Sequence, residues 1–253
     1  MRTLATVIAI AALLYLGACA ALYFFQRSLI YFPQPGVLAH PASRMRLAVD
    51  GAELQISIRR HAGPDALIYF GGNAEDVSAG LAELAAAVPD TAIFMMHYRG
   101  YGGSSGAPSE TALHADALAL YEHARATHPN VTVVGRSLGT GVAIRLAAQR
   151  PVARLVLVTP YDSLQDLAAA QFPFFPVRWL MTDKFESGRY APLVSAPTTL
   201  VAAEHDEVIP RASTNRLHVR FAPGLARLVV LPGTGHNSIS ASPLYPALLR
   251  GTL

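Results

Sequence analysis

Six short, continuously apolar runs recur along the chain, at residues 66–70, 91–96, 131–134, 155–158, 198–202 and 228–231. Their starts lie 24 to 43 residues apart, which leaves room for a crossover helix between each pair. Apolar character that does not alternate marks strands buried on both faces, and parallel strands require such crossovers. Helical spacing fills the gaps. Val77, Leu81, Leu84 and Val88 recur at four, three and four residues within a helix predicted over residues 75–88. A second helix is predicted over 110–127, with Ser109 as its N-cap. The pattern predicts an α/β fold, a mostly parallel sheet covered by helices on both faces. In such sheets the chemistry collects at the carboxyl ends of the strands.

Ahead of these runs, residues 4–25 hold 22 positions without a charge, bounded by Arg2 and Arg27. As a helix that stretch is roughly 33 Å long, enough to cross a bilayer core of about 30 Å. Two processing signals overlap it: Ala18-Cys19-Ala20 resembles a signal-peptidase site and Leu16-Gly17-Ala18-Cys19 a bacterial lipobox. Either cut would leave Leu22-Tyr23-Phe24-Phe25 as an apolar stub, so a retained single-pass anchor is the preferred reading. The expected division is an anchor over residues 1–26 and one domain over 27–253. The amino terminus and Arg2 stand against Arg27, with Arg44 and Arg46 at the edge of the counting window. That balance tips the domain towards the extracytoplasmic face.

Composition removes other classes. The chain is 52% hydrophobic and 15% charged, which excludes a disordered solvating protein. Net charge is only +3, and its arginines are scattered, with Arg59-Arg60 the one doublet. That is no stripe for tracking phosphates, and nucleic acid is not an expected partner. The single cysteine, Cys19, excludes an internal disulfide framework and a cysteine-built zinc site.

Two segments match Gly-x-Ser-x-Gly. Gly102-Gly103-Ser104-Ser105-Gly106 begins four residues past a strand end and runs into Ala107-Pro108, which delays any helix. Gly135-Arg136-Ser137-Leu138-Gly139 directly follows the run at 131–134 and leads into a helical stretch over 140–149. A nucleophile elbow needs that strand-to-helix turn with small residues flanking a strained serine. Ser137 is therefore the candidate nucleophile, and Ser104 a loop residue. A serine hydroxyl needs a base and an orienting acid. Asp206 follows the run at 198–202, with Asp162 in reserve, and His236 follows the run at 228–231. The order Ser137, Asp206, His236 is that of α/β-hydrolases. For the oxyanion, the expected donors are the backbone N–H of Leu138 and that of Asn73, in the Gly71-Gly72-Asn73-Ala74 loop, with Gly72 the alternative.

Together these stretches resemble the membrane-anchored branch of the α/β-hydrolase superfamily, which includes lysophospholipases, protein depalmitoylases and bacterial members of unknown substrate. Further matching stretches are Gln26 through Pro33, Tyr98-Arg99-Gly100-Tyr101-Gly102, Pro160-Tyr161-Asp162-Ser163 and Gly235-His236-Asn237. The resemblance implies a serine hydrolase acting on esters or thioesters, with Ser137 as nucleophile, Asp206 as acid and His236 as base. Many relatives carry histidine where Gly71 stands and aspartate where His97 stands. The first departure bears on how the oxyanion loop is braced, the second on what holds the Arg99 loop.

Residues 161–192 lie between two late strands, where such hydrolases carry a lid. They include an apolar, proline-bracketed stretch in which Phe172, Phe175 and Trp179 are candidate acyl contacts; ordinary packing against the sheet is the competing reading. The expected activity is cleavage of lipid-like or acylated substrates through an acyl-enzyme, a chemistry that needs no cofactor or metal. A serine aminopeptidase would use the same triad, with Glu186 and Asp183 as the available amine-binding carboxylates. A non-catalytic binding or scaffold protein on the same fold is the third reading.

Overall fold

The apolar runs pair side by side in the computed structural model, which describes residues 1–36 and 43–252; Leu253, the last residue of the expected domain, lies outside them. A helix α1 (Arg2–Ile30) precedes β1 (Arg44–Val49), β2 (Ala52–Arg59) and β3 (Asp65–Phe70). A 3-10 turn (Val77–Gly80) runs into α2 (Leu81–Ala87), followed by β4 (Ala92–Met96), α3 (Glu110–Arg125), β5 (Asn130–Arg136) and α4 (Leu138–Ala147). Then come β6 (Arg154–Val158), the three short helices α5 (Leu164–Gln171), α6 (Val177–Leu180) and α7 (Ser187–Tyr190), and β7 (Thr198–His205). The chain closes with α8 (Arg211–His218), β8 (Ala226–Gly235) and α9 (Tyr245–Arg250).

Among the described residues eight strands form one sheet in the order β1-β2-β4-β3-β5-β6-β7-β8. The six from β4 to β8 are parallel, and each coincides with a predicted run. β1 and β2 pair antiparallel with each other, and β2 with β4. This hairpin was not among the predicted runs, because burial alternates along β1 and polar residues alternate with apolar ones in Leu54-Gln55-Ile56-Ser57-Ile58 of β2, even though Ser57 is buried. The readable signal was Asp50-Gly51, where Gly51 turns the chain at φ +71°.

Side-chain alternation splits the core in two. Ile68 and Phe70 of β3 face a layer with Leu113, Leu120 and Ile144 of α3 and α4. Leu67 and Tyr69 face the opposite layer, with Leu84 of α2 and Leu248 of α9. Period-two geometry thus lets each continuous apolar strand serve both faces at once.

Two predicted helices behave differently at their starts. Ser109 caps α3, its Oγ accepting the Ala112 N–H at 3.2 Å, a contact worth about 1 kcal/mol. The helix predicted from residue 75 begins only at Val77, because the Asp76 carboxylate accepts the Ser78 N–H at 3.0 Å as a cap and Glu75 is drawn to other partners described below. The Arg99 loop, lacking an aspartate at position 97, is held instead from α3: Asp116 receives the Arg99 guanidinium in two contacts of 2.9 and 2.8 Å.

α1 is 29 residues long and apolar enough to cross a membrane by length and composition. It continues to Ile30, past residue 26, and its last turn is tied to the segment after α6. Gln26 donates to the Leu180 carbonyl at 3.1 Å and accepts the Thr182 N–H at 2.7 Å. Arg27 and the Tyr31 hydroxyl both reach the buried Asp183 carboxylate, at 3.1 and 3.0 Å.

Candidate active site

β5 ends at Arg136 and α4 begins at Leu138, so Ser137 alone makes the turn between them. It does so at φ 49°, ψ −117°, a left-handed backbone that costs a non-glycine residue on the order of 1–3 kcal/mol. The surrounding structure enforces it. The Ser137 N–H donates to the Val158 carbonyl of β6 at 2.9 Å. A Cβ on Gly135 would sit 2.5 Å from the Gly139 carbonyl oxygen, and one on Gly139 would overlap the Phe70 carbonyl. The helix can start so close to the sheet only because both are glycine.

His236, at the carboxyl end of β8, is buried. Its Nε2 lies 3.0 Å from Ser137 Oγ, and its Nδ1 lies 2.9 and 3.1 Å from the two oxygens of Asp206. Burial works against ionisation of Asp206, yet the His236 contact and the N–H groups of Ile209 and Val208, at 2.7 and 3.0 Å, outweigh it. The carboxyl is held below its usual range. An ionised Asp206 keeps the proton on Nδ1, so Nε2 is left to accept from the Ser137 hydroxyl. The Glu207 carboxylate receives the His236 N–H at 3.0 Å and fixes the loop from behind.

The Asn73 loop is held on three sides. Its carbonyl accepts from the Phe32 N–H at 3.0 Å and the Tyr101 hydroxyl at 2.6 Å, and its side-chain amide donates to the Ile30 carbonyl at 3.2 Å. The Gly72 N–H is committed to Glu75 Oε2 at 2.8 Å, which removes it as a free donor. The N–H groups of Asn73 and Leu138 have no hydrogen-bond partner among the described residues.

Glu75 escaped the sequence reading. Its carboxylate gathers the Gly72 N–H, the Tyr69 hydroxyl at 2.8 Å and the Arg136 guanidinium at 3.1 Å. Arg136 immediately precedes Ser137. One side chain therefore joins the Gly72-Asn73 loop, the candidate oxyanion loop, to the turn at Ser137, the bracing left open by glycine at position 71. The available signal was an acid three residues after Gly72 and a base inside the Gly-x-Ser-x-Gly motif.

Ser137 and His236 open onto a cavity of about 820 Å³, a volume suited to a small-molecule site. Its walls include Leu164 and Leu167 of α5, Val177 and Leu180 of α6, and also Leu22 and Leu29 of α1. Of the three aromatics expected at the site, Phe172 lines the cavity. Phe175 instead stacks on Tyr15 of α1, ring centroids 5.8 Å apart at 4°, and Trp179 is 89% exposed. The single turn of α6 explains this, since turning Val177 and Leu180 inward leaves Trp179 outward.

The reserve residues lie elsewhere. Asp162 accepts no contact from His236; its N–H donates to Ser213 Oγ and its carboxylate faces Arg216 at 3.6 Å. Ser104 is a buried pin, donating to the His97 carbonyl at 2.9 Å and accepting the Gln55 N–H at 2.8 Å. Asp183 is engaged by Arg27 and Tyr31, Glu186 faces Arg189 at 3.7 Å, and neither lines the cavity.

Comparison with known proteins agrees with this architecture. Residues 65–184 match the family model for the alpha/beta hydrolase fold. An uncharacterized protein of Mycobacterium tuberculosis is 37% identical over 262 residues, covering 97% of this chain and 90% of its own length. The lysophosphatidylserine lipase ABHD12 of Macaca fascicularis is 30% identical over 182 residues, covering 60% of this chain but only 46% of that protein. Among solved structures, the Pyrococcus furiosus esterase Pf2001 superposes with a TM-score of 0.66 over 83% of this chain and 93% of its own, at 15% identity, a likeness of fold. With its glycine-flanked elbow and parallel sheet, the chain belongs to the α/β-hydrolase family and carries an apolar N-terminal helix.

Proposed function

We propose that this protein is a membrane-anchored serine hydrolase that cleaves carboxylic esters or thioesters of lipid-like acyl substrates. The observation that carries the reading is the continuous chain Ser137–His236–Asp206 at the floor of a largely apolar cavity. Ser137 Oγ attacks the acyl carbonyl while His236 Nε2 takes its proton. Asp206 orients the imidazole and offsets its charge. The N–H groups of Leu138 and Asn73 receive the oxyanion, a preorganised arrangement worth about 3 kcal/mol per donor. His236 then protonates the departing alcohol or thiol, and water, activated by the same imidazole, releases the acid from the acyl-enzyme.

Two features support ester over peptide cleavage. The lid carboxylates available for a free amine, Asp183 and Glu186, are outside the cavity, and of the two acids in its wall Glu75 is engaged by Gly72, Tyr69 and Arg136 and Asp76 by Ser78. The lipase relative named above is said to act on lysophosphatidylserine, a single-chain acyl ester. The test is labelling with a fluorophosphonate probe in detergent. Wild type is expected to label and Ser137→Ala to remain unlabelled. A folded wild type that does not label would leave a binding or scaffold protein; labelling that survives the substitution would move the nucleophile elsewhere.

A further inference from the structure

The wall that α1 contributes to the cavity is not required for a soluble hydrolase fold, and it has a consequence for how substrate arrives. Tyr15, stacked on Phe175, also donates its hydroxyl to the Phe174 carbonyl at 3.0 Å. Tyr15 stands ten residues before Phe25, the end of the uncharged span, or about 15 Å along the helix. That is half the depth of a bilayer core of about 30 Å. Whatever depth α1 occupies, the tip between α5 and α6 shares it.

The tip is built for that surrounding. Residues 171–177 carry no charge, Phe174 is 85% exposed and Trp179 89% exposed. Non-helical backbone survives in hydrocarbon only where its polar groups are satisfied internally. Pro173 and Pro176 have no N–H to satisfy. The N–H groups of Phe172, Phe175, Val177, Trp179 and Leu180 donate to carbonyls of residues 168–176, and the Phe174 carbonyl has the Tyr15 hydroxyl, which leaves the Phe174 and Arg178 N–H groups as the tip's donors without a partner among the described residues. Polar ties appear only further along: Arg178 on Asp166 at 2.7 Å, Gln26 on Leu180 and Thr182, and Arg27 on Asp183. An apolar tip flanked by Trp179 and arginines has the arrangement of a membrane boundary.

We propose that the tip, residues 172–177, is immersed beside α1 in one bilayer leaflet, and that the cavity takes its substrate sideways from that leaflet, between α1 and the α5–α6 segment. The acyl chain lies along Leu22 and Leu29 on one side and Leu164 and Leu167 on the other. The carbonyl stops at Ser137, level with the polar ties. The substrate class is a bilayer-resident amphiphile with a long acyl chain joined through an ester or thioester at the headgroup boundary. This deepens the serine-hydrolase reading and rests on it for the chemistry.

Trp179 is the only tryptophan in the chain, so the wild-type protein carries its own reporter. The full chain is reconstituted into phosphatidylcholine vesicles, with or without phosphatidylcholine brominated along its acyl chains, and labelled in parallel with fluorophosphonate. Immersion predicts Trp179 emission quenched at least twofold by the brominated lipid and protected from iodide in the water. Emission quenched by iodide and indifferent to bromine, in protein that still labels, overturns the proposal while leaving the serine hydrolase intact. Absence of labelling overturns the underlying reading and the substrate assignment with it, whatever Trp179 reports.

The route is tested separately with Leu22→Phe and Leu29→Phe, which narrow the α1 wall, and with Phe24→Ala on an exposed face of the same helix. The measured quantity is kcat/KM for a dodecanoyl ester divided by that for a butyryl ester. The proposal expects this ratio to fall at least tenfold in either leucine variant and to stay within twofold in Phe24→Ala. A ratio unchanged in both leucine variants, or lowered equally in all three, overturns entry along α1.

Discussion

Glu75 and Arg136, 61 residues apart in the chain, meet at 3.1 Å, and through that contact the Gly72-Asn73 loop, the proposed oxyanion loop, and the turn at Ser137, the proposed nucleophile elbow, are held as one piece. Because Glu75 also takes the Gly72 N–H at 2.8 Å, it sets the peptide that precedes the Asn73 donor. Removing it is expected to act on the transition state more than on substrate binding. Glu75→Ala should lower kcat by about 10²-fold, the scale of one lost oxyanion donor, with a much smaller change in KM. Glu75→Gln keeps an acceptor for Gly72 and should lose less than about tenfold. Steady-state kinetics on a soluble butyryl ester separate the two, and equal losses in kcat for both variants would count against the bracing role.

In the proposed mechanism Asp206 holds the imidazole tautomer, through its contact with His236 Nδ1 at 2.9 Å. Asp206→Asn should leave the fold intact and lower kcat by roughly 10⁴-fold, while Asp162→Asn, remote from His236, should stay near wild type. Comparable losses in both would reassign the acid.

The Arg99–Asp116 pair is buried on the Asp116 side, with 1% of that side chain exposed. Breaking one partner of such a pair strands a charge and typically costs about 3–5 kcal/mol. Arg99→Ala should therefore lower the unfolding midpoint sharply. The double variant with Asp116→Ala should recover part of the loss, as read by denaturant titration in detergent.

Gly139 sits where a Cβ would overlap the Phe70 carbonyl, and a central strand cannot move aside. Gly139→Ala should destabilise by about 3 kcal/mol or more, at the upper end of overpacking effects. Gly224, with open space around it but φ of +78°, should lose only about 1 kcal/mol as alanine. Thermal unfolding distinguishes them.

Burial lowers the pKa of His97, with Arg44 adding to the effect and Asp76 opposing it. Burial also lowers that of His114, against the pull of Glu110. Each folded-state value lies below the ordinary 6.5, so the unfolded chain binds protons first. Stability should be fully present above pH 6.5 and fall as pH drops from there through the folded values. The depressed carboxyl of Asp206 adds a second loss, below its ordinary 3.8. Unfolding midpoints between pH 8 and 5 should be flatter in His97→Gln than in wild type.

The strands that carry the site were legible because burial on both faces writes an uninterrupted apolar run, whatever the neighbours are. Ser137 was separable from Ser104 because the turn it occupies is local: a strand before, a helix after, and glycines between. The β1–β2 hairpin was less visible, since β1 lies at the sheet edge half exposed and β2 interleaves polar residues with its apolar ones. The start of α2 was misjudged because Glu75 obeys helical spacing yet is claimed by Gly72 and Arg136.

Chain order and local turn chemistry alone therefore determined the parallel sheet, the elbow at Ser137, and the loops from which Asp206 and His236 come. Tertiary structure decided which acid ties the Gly72-Asn73 loop to Arg136, that Asp116 takes over the Arg99 loop, and that Phe175 turns to Tyr15 while Phe172 faces the cavity. It also decided that α1 is a wall of the cavity. Periodicity and backbone strain are properties of a few consecutive residues, whereas a charge pair or a cavity wall depends on which elements the sheet order brings together, and no short stretch of sequence records that.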